Sequence, residues 1–435
     1  MAAPKQLNLF DATMLVMGGV IGIGIFFTPQ GVAQNVPSLG PFLLMWGLGA
    51  VVALAGAMTF AELSATFPRT GGWFIFLREA FGSFPAFLFA WVVLFVISTG
   101  ASAIIAGYAA QYASEVFGGS ATFERWFGAG LIVSVTLLAL AGLKSAAIFQ
   151  NLCMVLKLVA IAAIVFAGIA WSGTPAPVST PVIASGIPWG GMLDASLPVL
   201  FSFGGWQLIT YIAPSVKDPQ RNLPKAILIG VAGVTVVYLA TNYAYASVLG
   251  MDGLANTDNF AAVLATNVFG ENGKTLLVSA MMVSAIGICT AILLATPGLY
   301  VGMANERLFF RVFGKTHART GAPGAALLLQ CAVALGYFFY GEAGKVLDWV
   351  VFTEWIFHCL CGLALLSLRK NRPELPRPFV SWAYPLFPIV YAVLAAVVMF
   401  GTIFSQWEKA RYGLLVLGAG ALIYVPWRKF FAARA

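Results

Sequence analysis

The sequence predicts an all-α polytopic membrane protein with twelve transmembrane helices. Of its 435 residues, 60% are hydrophobic and only 9% are charged, whereas a soluble domain carries about 25% charged residues. Apolar runs recur along almost the whole chain, and each is close to the roughly 20 residues that span a bilayer as a helix. Glycine and proline interrupt the first and sixth runs, which predicts that helices 1 and 6 are broken.

The lengths of the apolar runs set the predicted spans. They cover residues 12–34, 40–66, 83–113, 126–142, 147–172, 192–213, 225–250, 273–300, 323–341, 346–369, 382–404 and 411–429. Asp11 stands just before the first run and is a suitable N-cap for its helix. Gly71 and Gly72 allow a tight turn into a short amphipathic segment before the third span.

The net charge of +8 indicates a membrane topology rather than a nucleic-acid partner. When the loops are numbered alternately, most Lys and Arg residues fall in the set that includes the N-terminus. The opposite loops hold only Arg125, Lys274, Lys345, Lys409 and Arg411. Basic residues collect on the cytoplasmic side, so we expect a plasma-membrane protein, surrounded by lipid, with both termini cytoplasmic.

The cysteines favour no disulfide and no metal site. Cys153, Cys289, Cys331, Cys359 and Cys361 all fall inside apolar segments and are expected to be small buried hydrophobic residues. No disulfide-linked partner subunit is therefore expected, which leaves a monomer or homo-oligomer. No phosphate loop, zinc-ligand spacing or nucleophile with its base is found, so no metal, no cofactor and no enzymatic activity are expected.

The glycines of the first broken segment, MGGVIGIGIFFTPQG (residues 17–31), predict a binding site. Each costs a helix about 1 kcal/mol relative to alanine, and broken backbone within a bilayer is tolerated only where it lines a cavity. A break leaves free N–H groups on one half-helix and free carbonyls on the other. This pair of partial charges suits a zwitterion, although glycines also allow membrane helices to pack closely.

The sixth span, LFSFGGWQLITYIAP (residues 200–214), carries the matching break. Interrupted segments at corresponding places in two halves indicate a secondary transporter. We therefore expect two successive five-helix groups, at about residues 12–172 and 192–369, within a transport core of residues 1–370. Two further C-terminal helices and a tail follow in residues 371–435. The function predicted is transport of amino acids.

Four stretches resemble the amino acid–polyamine–organocation superfamily, in the branch of the L-type transporters and the basic amino acid/polyamine antiporters. They are GGVIGIGIFFTP, FAELSATFPRTGGWFIFLREAFG (residues 60–82), FSFGGWQLITYIAPSVKDPQRNLPKAI (201–227) and SLRKNRPELPRPF (367–379). The resemblance covers essentially the whole chain. It implies a LeuT-like fold of two inverted five-helix repeats followed by two additional C-terminal helices. It also implies transport by alternating access around a central site.

The resemblance also implies that the backbone of the two breaks holds the substrate. The substrate-binding residues that it implies are Val20, Gly22, Ile23, Gly24, Phe201, Phe203, Gly204 and Trp206. The substrate carboxylate would meet N–H groups of the first break, its ammonium would meet carbonyls of both breaks, and the aromatic rings would form a wall or lid. Many relatives have a small hydroxyl residue in place of Ile23, so the identity of the substrate is not implied.

Lys157 lies in the middle of the fifth span, where a lysine costs about 2.5–3.5 kcal/mol on insertion scales and needs a partner or a role. One interpretation is that its side chain extends to the cytoplasmic face. In the transporters that this chain resembles, a lysine on helix 5 instead lies near the broken first helix, where sodium-coupled relatives hold a cation. That resemblance implies sodium-independent transport with Lys157 as a cation mimic.

Glu354 and His358 are four residues apart on the tenth span and share one helical face. They form a candidate proton relay, or each simply satisfies the hydrogen bonds of the other. Exchange and proton symport both remain open. Neither broken segment contains an acidic residue to pair with a second ammonium, which favours a neutral amino acid over the alternative of a polyamine or amine. A membrane-embedded enzyme is a distant alternative, because the chain lacks paired acidic motifs.

Overall fold

The computed structural model describes residues 6–22, 24–170, 189–257, 259–341, 343–405 and 407–432. Within these ranges the chain is almost entirely helical. The α-helices are α1 (Leu9–Val20), α2 (Thr28–Asn35), α3 (Leu39–Thr66), α4 (Trp73–Phe81), α5 (Ser83–Val92), α6 (Ser98–Phe117), α7 (Ala121–Ala141), α8 (Leu143–Ile169), α9 (Trp189–Ser202), α10 (Pro219–Asn256), α11 (Phe260–Phe269), α12 (Glu271–Ala295), α13 (Pro297–Asn305), α14 (Gly324–Tyr340), α15 (Ala343–Asn371), α16 (Leu386–Ser405) and α17 (Trp407–Ala432).

Nine segments of the described chain are long and apolar enough to cross a membrane. They correspond to the predicted spans 2–8, 11 and 12. The segment that matches predicted span 3, Ser83–Phe117, includes a π-helical turn at Val93–Ile97 between α5 and α6. The first, ninth and tenth predicted spans are not among these nine. The all-α, multi-pass architecture is therefore confirmed, while the total of twelve spans and the inverted repeat stay predictions.

Both predicted helix breaks are present. The helix α1 ends at Val20, and the chain resumes as a 3-10 turn at Gly24–Phe26 before α2. The helix α9 ends at Ser202 and is followed, after a short non-helical stretch, by a 3-10 segment at Trp206–Ser215. The two interrupted elements contact each other directly, and α10 packs against α1, α2 and the 3-10 segment.

The N-terminus of α1 differs from the prediction that Asp11 is its N-cap. Asn8 is the N-cap, and its side-chain oxygen accepts a hydrogen bond from the Asp11 N–H at 2.9 Å. The Asp11 carboxylate in turn accepts from the Asn8 N–H at 2.9 Å. This reciprocal pair is a capping box, in which the acidic residue occupies the third helical position rather than the cap.

The short segment predicted after Gly71 and Gly72 is the helix α4. Both glycines have positive φ angles, +106° and +41°, a region that residues with a Cβ rarely adopt. A Cβ on Gly72 would also lie 2.4 Å from Thr210. The turn therefore places the start of α4 directly against the 3-10 segment of the second broken helix, where the Gly71 N–H donates to the Tyr211 carbonyl.

Contacts between loops agree with the alternate numbering used for the charge count. On the side of the N-terminus, residues 6–7 pair with residues 215–217 through backbone hydrogen bonds, and Lys144 pairs with Asp11 at 2.6 Å. On the other side, Lys274 pairs with Glu115 at 2.8 Å. Each contact joins loops that the sequence assigns to the same membrane face.

All five cysteines are free thiols on α-helices; Cys359 is partly exposed and the other four are buried. The described residues contain no group of three or more His, Cys, Asp or Glu side chains arranged to hold a metal ion. The four buried cysteines pack as small apolar side chains.

Candidate transport site between the two broken helices

A largely apolar cavity of about 320 Å³ lies where the two broken helices meet. Its wall is built from both breaks and from α3, α6, α12 and α15. Seven of the eight residues predicted to bind substrate line it: Val20, Gly22, Gly24, Phe201, Phe203, Gly204 and Trp206. The eighth, Ile23, lies outside the described residues. The sequence therefore located the cavity, while the binding role of these residues stays a prediction.

The two breaks approach each other closely at two glycine positions. A Cβ on Gly205 would lie 2.2 Å from the Gly19 carbonyl oxygen, and Gly205 has a φ of +107°. At the other end, a Cβ on Gly24 would lie 3.1 Å from the Ser202 hydroxyl oxygen. Glycine is needed at Gly205 for both its space and its backbone conformation.

The carbonyls left free at the end of α1 are met by side chains from other helices. The Tyr238 hydroxyl, on α10, lies 3.0 Å from the Val20 carbonyl oxygen and 2.9 Å from that of Ser202. A hydroxyl has one proton, so it donates to one of these carbonyls at a time. Tyr238 thereby links the ends of α1 and α9, the two helices that precede the breaks.

Lys157 and Ser284 meet the next two carbonyls of the first break. The Lys157 side chain is 1% exposed, and its ammonium donates to the Ile21 carbonyl. The Ser284 hydroxyl, on α12, donates to the Gly22 carbonyl at 3.2 Å. The Lys157 ammonium is thus directed at the break, as the resemblance implied, and does not extend to the membrane surface.

Glu354 and His358 both line the cavity, but they do not hydrogen-bond to each other. The nearest approach, from His358 Nε2 to Glu354 Oε1, is 3.7 Å, which is too long for a hydrogen bond. Glu354 Oε1 instead accepts from Gln207 Nε2 at 2.9 Å, and Gln207 Oε1 accepts from the Gly205 N–H at 3.0 Å. The His358 Nδ1 atom contacts the Tyr391 hydroxyl. The expectation that the pair satisfies itself is therefore wrong, because each partner comes from another element.

The predicted aromatic residues form a wall of the cavity. Trp206 is buried, with its ring centroid 4.9 Å from that of Phe60 in an edge-to-face arrangement. Phe203 packs against Tyr238 at 5.1 Å between centroids. Phe201 is 41% exposed and lines the cavity at the end of α9. Rings in such edge-to-face contacts hold one another in fixed orientations.

Sequence reasoning missed Tyr238, Gln207 and Ser284, which position the breaks. A polar side chain in the middle of an apolar span was the available signal, since buried polar groups need partners. That signal does not say which of the many serines, threonines and tyrosines in the spans reaches a break.

A buried carboxylate joins α3 to the end of α15, away from the cavity. Glu62 is fully buried, and Arg369 donates to both of its oxygens, at 2.7 and 2.5 Å. The backbone N–H of Ser381 donates to the same carboxylate at 2.8 Å. Arg69, in the loop that follows α3, has a different partner.

Arg69 instead belongs to an ion-pair group around Glu79 on α4. Arg69 and Arg372 both donate to the Glu79 carboxylate, the latter at 2.6 Å. Burial opposes ionisation of Glu79, but these hydrogen bonds outweigh it and hold the pKa of the carboxyl below its ordinary value of 4.5. Together the two groups connect α3, α4 and α15 on the side of the N-terminus.

A multi-pass helical membrane protein with a cavity between two broken helices is the class that the fold and the site define. The family model described as amino acid permease matches residues 7–419. The chain belongs to the amino acid permease family.

Similar proteins cover nearly the whole chain. The b(0,+)-type amino acid transporter 1 of Mus musculus is 27% identical over 429 residues, 97% of this chain and 87% of the relative. The serine/threonine exchanger SteT of Bacillus subtilis is 27% identical over 428 residues, 98% of this chain and 97% of the relative. The large neutral amino acids transporter small subunit 2 of Mus musculus is 27% identical over 440 residues, 97% and 81% respectively. All three relatives are named as amino acid transporters.

Proposed function

We propose that this protein is a secondary active transporter that moves amino acids across the plasma membrane by alternating access. The observation that carries the proposal is the meeting of two broken helices at one cavity, whose wall includes the seven described residues that were predicted to bind substrate. This arrangement is typical of secondary transporters, because the broken helices supply binding groups in the middle of the membrane. The named functions of the three relatives support the same substrate class.

The backbone of the breaks supplies groups for both charges of an amino acid. Gly24 begins the 3-10 turn, so its N–H has no partner within that turn and is available to a carboxylate. In the second break the Phe201 carbonyl accepts from the Gly204 N–H at 3.0 Å. A carbonyl has a second lone pair, with which Phe201 and Val20 can each accept from a substrate ammonium.

The position of Lys157 is evidence for transport that does not depend on sodium. Its ammonium is bonded to the Ile21 carbonyl at the first break, and a fixed positive charge there stabilises the broken helix end as a bound cation would. Glu354 and His358 line the same cavity and are the groups available for proton coupling. Exchange is the first candidate mode, in keeping with the relative named as an exchanger; proton symport is the second.

The charge pattern and the positions of the cysteines support a proposal for the orientation and assembly of the protein. We propose that both termini are cytoplasmic, that residues 1–370 form the transport core, and that the protein works as a monomer or homo-oligomer in contact with lipid. All five cysteines lie on α-helices and four of them are buried, which supports an assembly without a disulfide-linked partner.

The test is uptake of labelled amino acids into proteoliposomes that are either empty or loaded with unlabelled amino acid, with and without an inward proton gradient. Uptake only into loaded vesicles indicates exchange, and uptake into empty vesicles that rises with the gradient indicates proton symport. Replacement of sodium by choline should change neither. Absence of uptake of any amino acid under all conditions would overturn the proposal.

A further inference from the structure

We propose that the loop after α13 and the C-terminal end of α17 together bind the headgroup of an anionic phospholipid. The site is a surface of four exposed basic side chains beside two aromatic rings, which we call the basic–aromatic surface: Arg311, Lys315, Arg428, Lys429, Phe310 and Trp427. None of these residues lines the cavity between the broken helices. The inference therefore concerns a second site and does not rest on the transport function.

Two apolar segments that are long enough to cross a membrane end at this surface. One covers Asn272–Asn305 and the other Ala410–Lys429. The ring centroids of Phe310, just after the first segment, and Trp427, at the end of the second, lie 4.8 Å apart. Both segments therefore end on the same side of the protein and at the same depth. Basic and aromatic residues collect where spans meet the lipid headgroups, which places the surface at that level of the bilayer.

Aromatic packing holds the loop after α13 against α17. The loop contains a 3-10 turn at Arg311–Gly314 in which no residue is buried. The Phe309 ring stacks on those of Phe313 and Trp427, at 4.7 and 6.1 Å between centroids. Phe310, beside these rings, keeps 46% of its surface exposed. The turn is therefore fixed at the protein surface, with its basic side chains and an exposed ring facing the surroundings.

The four basic side chains have no carboxylate to neutralise them. No Asp or Glu occurs in residues 307–341 or 409–435. Glu306, which precedes the loop, is paired with Arg78 at 2.8 Å and with Arg69 at 3.6 Å. The ion pairs among the described residues involve none of the four cations of the basic–aromatic surface. A negative charge from outside the chain is thus the available partner.

Other basic residues on the side of the N-terminus are in a different situation. Lys144 is paired with Asp11, and Arg369 is paired with Glu62. Basic residues on this side are expected from membrane topology alone. Topology does not account for a group of them without counter-charges that adjoins an exposed aromatic ring, and this combination indicates a ligand.

A phosphate diester with two acyl chains fits both parts of the surface. Guanidinium and ammonium groups bind phosphate oxygens, and basic clusters at a membrane surface attract anionic lipids. A zwitterionic lipid also carries an ammonium, which these cations repel. A soluble phosphate can meet the cations but has no chain to lie against the Phe310 ring. The surface therefore favours an anionic phospholipid over both.

The lipid preference of the purified full-length protein provides the test. The protein is equilibrated in detergent micelles with equal amounts of dioleoylphosphatidylglycerol and dioleoylphosphatidylcholine, whose acyl chains are identical, and the bound lipids are identified by native mass spectrometry. We expect the wild type to bind phosphatidylglycerol at least about tenfold more tightly. The preference should shrink as the ionic strength rises from about 0.1 M to about 1 M, because salt screens exposed charges.

A triple substitution assigns the preference to this surface. Arg311→Gln, Lys315→Gln and Lys429→Gln together remove three of the four positive charges and should bring phosphatidylglycerol binding close to that of phosphatidylcholine. All three side chains are exposed, so we expect the variant to keep the unfolding midpoint of the wild type in lipid-free detergent.

A matched triple substitution controls for net charge. Lys217→Gln, Arg221→Gln and Lys225→Gln also remove one arginine and two lysines from exposed positions on the side of the N-terminus. Those cations stand beside Asp218 and have no aromatic residue among residues 215–228. This control should retain the preference of the wild type.

The proposal is overturned if the wild type binds the two lipids equally, or if the preference survives the triple substitution in the basic–aromatic surface. An equal loss in the matched control would assign the preference to net charge and would also overturn it. Displacement of phosphatidylglycerol by an equal concentration of glycerol 3-phosphate would replace the lipid by a soluble anion. Retention of the lipid under that competition supports the proposal.

Discussion

The carbonyl oxygen of Gly19 lies only 2.2 Å from the position that a Cβ atom on Gly205 would occupy. The side chain of any other residue at position 205 would therefore clash with it. The two broken helices therefore touch backbone to backbone. A positive φ of +107° at Gly205 adds a conformational requirement to this spatial one. We expect Gly205→Ala to lose well over 1 kcal/mol through backbone strain alone, with the clash in addition, and to abolish transport.

A matched glycine serves as the control for that substitution. Gly47 lies on α3, and a Cβ there would meet no heavy atom within 4 Å. Thermal unfolding of the detergent-purified proteins should show a much lower midpoint temperature for Gly205→Ala and a wild-type midpoint temperature for Gly47→Ala. A wild-type midpoint for Gly205→Ala would contradict the close approach.

The Tyr238 hydroxyl is predicted to stabilise both breaks, and Tyr245 on the same helix offers a comparison. Both rings are fully buried on α10, but the Tyr245 hydroxyl has no hydrogen-bond partner among the described residues. Tyr238→Phe should lower the free energy of unfolding by about 1 kcal/mol and slow uptake. Tyr245→Phe should lose neither stability nor activity. Equal effects of the two substitutions would show that the Tyr238 hydroxyl does not link the breaks.

Lys157→Met should remove the charge at the first break while keeping most of the side-chain volume. The Ile21 carbonyl then loses its partner, and we expect uptake to fall at least about tenfold while the protein stays folded, because methionine suits an apolar site. Lys274→Met, which breaks an exposed pair with Glu115, is the control. Measurement of proteoliposome uptake decides, and wild-type rates in Lys157→Met would exclude a role for the ammonium.

The buried carboxylate of Glu62 is predicted to be a large stability determinant. Glu62→Gln removes the carboxylate that pairs with Arg369, whose side chain is already largely buried. Loss of one partner in comparable buried pairs lowers the free energy of unfolding by about 3–5 kcal/mol. Glu408 pairs with Arg411 at 2.5 Å but is 73% exposed, so Glu408→Gln should cost no more than about 1 kcal/mol. Thermal or denaturant unfolding separates the two, and similar losses would mean that burial does not set the difference.

The Glu79 carboxyl should make the free energy of unfolding depend on pH in the acidic range. Its pKa lies below the ordinary 4.5 in the folded protein, so its contribution is complete above pH 4.5 and is lost as pH falls through the lower folded pKa. The unfolding midpoint of Glu79→Gln should therefore lie below that of the wild type at pH 6 and approach it as the pH drops below 4.5. A difference that is constant between pH 6 and pH 3 would exclude this linkage.

The elements that the sequence predicted well are those set by local composition. Local sequence specifies the backbone conformation of three segments, because hydropathy and missing Cβ atoms act within a few residues. These segments are the apolar run around Lys157, the glycine-rich residues 17–31 and the turn at Gly71. The seven described residues of the predicted site followed from the same signal together with the family resemblance. The cap of α1 was misplaced by three residues, because Asn8 and Asp11 are both suitable capping residues and only their reciprocal geometry distinguishes them.

By itself, the sequence determined that this chain crosses a membrane as apolar helices and that two of those helices are interrupted. Only the tertiary structure decided which side chains reach the interruptions. Tyr238, Lys157 and Ser284 come from three different helices to three successive carbonyls, and Gln207 meets Glu354 across 147 residues of sequence. Such partnerships depend on how the helices pack, since a helix face shows which side is apolar but not which neighbour it will meet.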